Sequence, residues 1–86
     1  MEMIGQPVNL TSSGAVSTMP GRLIGFYVNS TSSGTIVLKD GGASGTPISG
    51  TITPAIGWHF FPAAISTSCY ATIANTLNVT FIFAQG

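Results

Sequence analysis

The sequence predicts an all-β domain, a small antiparallel β-sandwich or jelly-roll-like barrel of about seven short strands. Three observations carry that expectation. Short runs rich in Val, Ile, Thr, Phe and Tyr are separated by clusters of Gly, Ser, Thr, Asn and Pro. No window of helix length shows a 3.6-residue apolar stripe, and the helix formers Glu, Lys and Arg are nearly absent. The closing run Leu77-Asn78-Val79-Thr80-Phe81-Ile82-Phe83 alternates apolar and polar residues until Ile82, as a half-buried strand does.

Taken in order, residues 1–20 read as an N-terminal anchoring segment and 21–86 as the sandwich, together one domain. Pro7 suits an edge or a strand start, since it cannot donate to a ladder. Thr11-Ser12-Ser13-Gly14 and Met19-Pro20-Gly21 read as turns around the short run Ala15–Thr18. Residues 22–40 read as a hairpin, with Asn29–Gly34 as its loop. Alternation puts Ile24, Phe26, Val28, Ile36 and Leu38 on one face, and Leu23, Tyr27 and Val37 on the other. Asp40-Gly41-Gly42 is a tight-turn signal. Ala43–Pro54 reads as one or two edge strands, limited by Pro47 and Pro54. Gly57–Phe61 is a short aromatic strand stopped by Pro62. Trp58 and Phe60 share one of its faces and Phe61 takes the opposite one. Cys69–Ala74 is a strand, Asn75-Thr76 a turn, and Leu77–Phe83 the last strand. The motif Thr-Ser-Ser-Gly at 11–14 recurs at 31–34. The spacing is irregular, so it reads as reused turn chemistry rather than a repeat array.

Composition narrows the function classes. The chain has 86 residues, of which 44% are apolar and 5% charged. Its only formal charges are Glu2, Arg22, Lys39 and Asp40, and they cancel. Such a chain has neither the net charge nor the charge density that keeps small proteins apart. A domain this short buries only about 60–65% of its unfolded surface, so a lone monomer is expected to be marginal. Without a basic patch, nucleic-acid binding is not expected. No window approaches the ~20 apolar residues of a membrane-spanning helix. Met1-Glu2-Met3-Ile4 lacks the charged start of a signal peptide, so synthesis in the cytoplasm is expected.

Reactive residues are sparse. His59 is the single histidine and Cys69 the single cysteine. A metal site needs three or four ligands and a general base needs a partner, so no cofactor, metal or catalytic residue is expected. Cys69 reads as a small buried hydrophobe. Trp58, Tyr27, Tyr70, Phe60 and Phe61 raise carbohydrate binding, in which aromatic faces stack on sugars. The local sequence around Trp58 has no acidic or amide cluster to bond sugar hydroxyls. Subunit contact, which also favours aromatic residues, is therefore the preferred reading of the same side chains.

Gly21–Ser30, Gly34–Gly42, Ile52–Pro62 and Leu77–Phe81 together resemble a family of short proteins of tailed bacteriophages, encoded among virion structural genes. The resemblance covers nearly all of the chain after residue 20. It implies a virion component, and small β-sandwich proteins of this kind often serve as capsid decoration (cement) proteins, commonly as trimers. On that basis a homo-oligomer, a trimer, is expected on the capsid surface, stabilising the head through contact with the major capsid protein. The expected subunit contacts are Leu23, Tyr27, Val37, Phe61 and Ile82. The expected capsid contacts are Met3, Ile4, Pro7, Val8 and Arg22. The alternatives are a glycan-binding module at a tail or fibre tip and a head–tail or tail accessory protein.

Overall fold

The computed structural model describes residues 5–85. It is all-β, with six strands in one antiparallel sheet and no helix among the described residues. The strands are β1 (Gln6–Leu10), β2 (Gly14–Ala15), β3 (Gly21–Asp40), β4 (Thr46–Pro47), β5 (Gly57–Ile65) and β6 (Cys69–Gln85). Two of them are far longer than the short strands expected. β3 runs for 20 residues and β6 for 17, and they pair with each other over their whole length.

The shorter strands attach to the two ends of this long ribbon. Along Gly21–Val28 of β3 the order is β1-β6-β3-β5. Along Lys39–Asp40 the order is β2-β6-β3-β4, with a further bridge from Ile36 to Ile52. One core cluster takes side chains from both halves. Leu23, Phe26, Val28, Val79, Phe81 and Phe83 come from the first, and Ile36, Leu38, Cys69 and Ala71 from the second. The ribbon therefore bends and lays its halves face to face, as in a sandwich. The shortest dimension of the molecule is 18 Å. That suits two layers packed about 10 Å apart with side chains outside them.

The bend replaces the expected hairpin. Thr31-Ser32-Ser33-Gly34 does not reverse the chain; it kinks a strand that stays paired. Val28 faces Val79, and Thr35 faces Ala74, instead of Val28 and Thr35 closing on each other. Register shifts at Val28/Ser30 and Ser32/Ser33 supply the curvature. Ser33 and Asn75 both take positive φ, 58° and 62°, so the two strands turn the corner together. Asn75 Nδ2 donates to the Ser33 carbonyl at 2.7 Å, and the Gly34 amide donates to Thr31 Oγ1 at 3.0 Å. Gly34 is required by contact, since a Cβ there would lie 2.7 Å from both Leu77 Cβ and the Thr76 carbonyl oxygen. The same turn chemistry thus serves a bulged corner, and Asn75-Thr76 is likewise a corner rather than a turn.

A second bulge flips one residue. Leu23 faces Phe83, whereas Gly25 faces Ile82, so Ile24 has no partner on β6. One extra residue in a strand exchanges inside for outside. Leu23 consequently points inward with Phe26 and Val28, and is fully buried.

At the far end of β3, Asp40 closes the molecule. Its carboxylate accepts from the Ser66 amide and Ser66 Oγ, both at 2.8 Å, from the Thr67 amide at 2.9 Å and from the Ser68 amide at 3.2 Å. These donors, the Ser66 amide foremost, hold its pKa down at about 2 against an ordinary 3.8. A depressed carboxylate contributes stability that is present above its unfolded pKa and lost as pH falls through the folded one. Urea midpoints are therefore expected to fall as pH is lowered from about 3.8 to about 2. Asp40→Asn is expected to have a lower midpoint at neutral pH and a shallower decline over that window. Equal slopes in the two proteins would refute this role.

Candidate functional site

The most distinctive surface is the outer face of the half built by β1, β6, β3 and β5. Alternation in β5 sends His59, Phe61, Ala63 and Ile65 inward and leaves Trp58, Phe60, Pro62 and Ala64 outside. The sequence GWHFFP therefore splits its aromatic residues between the layers. The His59 ring stacks on Phe26 with centroids 5.2 Å apart, and its Nε2 lies 2.7 Å from the Ala55 carbonyl oxygen. That packing and that bond occupy the single imidazole.

Outside, register brings three aromatic residues together. Tyr27 of β3 is directly opposite Trp58 of β5, and Gly25 is opposite Phe60. Tyr27, Trp58 and Phe60 are 46%, 47% and 58% exposed. The indole of Trp58 lies over Gly25, where a Cβ would come within 2.9 Å of Trp58 Cη2 and Cζ2. The missing side chain at Gly25 is thus what lets the indole approach the strand this closely. Ile82 and Pro7 continue the same row, since Gly25 faces Ile82 and Pro7 faces Ile82.

A polar cluster flanks the aromatic row. Thr80 of β6 is opposite both Tyr27 and Asn9. Asn9 Nδ2 donates to Asn78 Oδ1 at 2.8 Å and to Thr80 Oγ1 at 3.1 Å. Asn29 Nδ2 donates to the same two atoms at 3.2 and 3.1 Å. Three amides and a hydroxyl from three strands therefore meet beside Tyr27. The expectation that no amide cluster accompanies Trp58 is corrected here. Asn9, Asn29 and the pair Asn78 and Thr80 are distant from one another in sequence, and only the β1-β6-β3 register collects them.

The other expected contact residues divide. Leu23 is corrected from a subunit contact to a core residue, by the bulge at Ile24. Phe61 is corrected in the same sense: it is partly buried against the core, while Trp58 and Phe60 take the outside. Val37 is half-buried on the outer face of the other half, opposite Thr72, with Lys39 opposite Tyr70 beside it. Tyr27 and Ile82 lie on one outer face and Val37 on the other, so one flat contact cannot use all three.

Among the expected capsid contacts, Met3 and Ile4 lie outside the described residues. Pro7 is exposed on β1, and Arg22 is half-buried and engaged in a polar or electrostatic contact. Val8 faces an open cleft of about 280 Å³ where β1 and the segment 15–18 diverge, lined also by Gln6, Val16, Phe83 and Gln85. The described part of segment 1–20 is thus strand and edge of the same sheet.

Cys69 is fully buried, and burial, with Asp40 nearby, pushes its thiol up to about 11. It is a packing residue by its environment. Among the described residues no three His, Cys, Asp or Glu side chains gather where they could hold a metal ion. No protein-family model matches the chain, and no curated protein or solved structure matches it significantly.

Proposed function

We propose that this protein is a structural component of a tailed-phage virion, a capsid decoration protein that self-associates on the head surface and acts by adhesion rather than by catalysis. The observation that carries this reading is the placement of charge. The charged side chains among the described residues, Arg22, Lys39 and Asp40, all sit at the ends of β3. Arg22, opposite Ala64, stands at the margin of one outer face and Lys39, opposite Tyr70, at the margin of the other, and the rows between carry no charge among the described residues. A small domain normally keeps at least one solvent face charged, and uncharged flat sheet faces pack against partners.

The sister-subunit contact belongs on the outer face that carries Val37, Thr72 and Tyr70. Val37, Thr72 and Tyr70 present a β-branched and aromatic surface suited to sheet-on-sheet packing, with Lys39 at its margin opposite Tyr70. The trimeric state follows from the resemblance to decoration proteins. The shell contact falls at the β1 edge, where Pro7 is exposed and the cleft beside Val8 opens.

Val37→Arg tests this assignment. Placed in a closed contact, an unpaired guanidinium costs about 3–5 kcal/mol, which weakens association at least ~100-fold. Sedimentation velocity is expected to show the oligomer for the parent chain and monomer for the variant, with unchanged urea unfolding of the isolated fold. A variant that sediments like its parent would remove the Val37 face from the contact.

A further inference from the structure

We infer that the aromatic outer face, Tyr27, Trp58 and Phe60 with the amides of Asn9, Asn29 and Asn78, is a binding site for a neutral oligosaccharide. The inference stands apart from the proposed subunit contact, which uses the opposite face.

The chemistry of the face selects the ligand. A pyranose ring has an apolar face of C–H groups and a rim of hydroxyls. It therefore asks for a flat aromatic surface beside short, neutral donors and acceptors. Trp58 supplies the flat surface, held across Gly25, with Tyr27 directly beside it in register. Asn29 is two residues further along β3 than Tyr27, and Asn78 and Thr80 come from the neighbouring strand. The four polar groups are already linked: Nδ2 of Asn9 and Nδ2 of Asn29 both donate to Asn78 Oδ1 and Thr80 Oγ1. That mutual bonding fixes the rotamers of Asn9 and Asn29, and among the described residues nothing donates to their side-chain carbonyl oxygens. The fixed carbonyls can accept from sugar hydroxyls, and pre-organised polar groups lose little freedom on binding.

Size and charge argue against the other occupants. Three rings that each expose about half of roughly 150–250 Å² present on the order of 300 Å². A stable protein contact buries about 800 Å² on each side, whereas the largest apolar patch on a single subunit is typically about 300–600 Å² and is often functional. Among the described residues, the rows of Tyr27–Trp58 and Gly25–Phe60 carry no charge; the nearest charged side chain on this face, Arg22, lies one row further along, opposite Ala64, and is already engaged in a polar or electrostatic contact, so these rows offer an acidic sugar or a phosphate no counter-charge. The ligand class is therefore neutral hexose or N-acetylhexosamine chains. Subunits clustered on one particle would give weak single sites a useful avidity.

Trp58 is the only tryptophan of the chain, so its fluorescence reports the site directly. The test is an array of neutral hexose and N-acetylhexosamine oligosaccharides, followed by titration of the best binder against the intact protein, read by fluorescence and by calorimetry. Saturable binding of a neutral glycan is expected, with at least tenfold weaker binding in Trp58→Ala and in Asn29→Ala. Val37→Arg is expected to keep the affinity per subunit. The inference is overturned if no neutral glycan binds, if only acidic glycans bind, or if both site variants bind as the parent does. Sedimentation of the same samples separates the two proposals. Loss of the oligomer in Trp58→Ala, with no glycan bound by the parent, would make this face a subunit contact and leave the structural role standing.

Discussion

Phe81→Ala is expected to remove most of the stability of this domain. Phe81 is fully buried at the centre of the first half, opposite Phe26 on β3 and Val8 on β1. Its ring lies 5.7 Å from that of Phe26, tilted by 52°, an arrangement that adds to simple burial. Truncating such a ring costs about 3–5 kcal/mol, because the lost transfer energy is joined by the cavity left behind. Single domains have only about 5–15 kcal/mol in total, and an 86-residue chain belongs near the low end. Urea unfolding of Phe81→Ala should therefore show a midpoint near zero denaturant, or no folded baseline. Phe81→Leu keeps part of the volume and should retain a cooperative transition. A loss of less than about 1 kcal/mol in the alanine variant would mean that the two layers do not close on this ring.

Gly25→Ala is the second large effect, and its sign runs against the usual rule. Replacing Gly by Ala where the backbone allows it stabilises by about 0.4–1 kcal/mol, through the unfolded chain. At Gly25 the added methyl would lie 2.4 Å from the His59 carbonyl oxygen and 2.9 Å from two indole carbons of Trp58. The carbonyl is backbone of the paired strand β5, so it cannot swing aside. Either β5 separates from β3 or the strand distorts, and overpacking of this kind costs about 1–3 kcal/mol. The indole must lift as well. The variant should unfold at lower urea, and its single-tryptophan emission should change in the folded state. Unchanged or raised stability with an unshifted spectrum would show that β5 and the indole are not seated as described.

These two positions also mark how far the sequence could be read. Phe81 was legible as core, because Leu77, Val79, Phe81 and Phe83 alternate with Asn78 and Thr80 over a clean run. Phe26, Val28, Ile36 and Leu38 were likewise legible and join the core cluster, whereas Ile24, expected beside them, is buried at the bulge and stands outside that cluster. The corner at Thr31–Gly34 was not. Ser, Gly and Asn supply positive φ and local bonds equally well in a chain reversal and in a bulge. Only the partner strand decides between them, and that partner lies more than forty residues away, as the Asn75–Ser33 bond shows. Leu23 failed for a related reason: a bulge leaves no signature in composition, yet it inverts the alternation that sequence reading relies on.

The functional face was half legible. The aromatic residues of Gly57–Phe61 announced themselves, and their division between two faces follows from strand geometry. Which face is outside depends on where the second layer sits. The polar half of the site was invisible, since Asn9, Asn29 and Asn78 are ordinary loop or strand-end residues until β1, β6 and β3 lie side by side. Tyr27 and Val37 looked equivalent along one strand, and the bend gives them opposite surfaces. That separation keeps the proposed subunit contact and the proposed ligand site on different surfaces.

The copy number of this chain in purified particles of the phage proposed to carry it, measured by quantitative mass spectrometry against the major capsid protein, tests the central claim most directly. A decoration protein is predicted to be present in hundreds of copies per particle, in fixed proportion to the capsid subunit. Absence from the particle, or a dozen copies or fewer as a tail component would have, would contradict it.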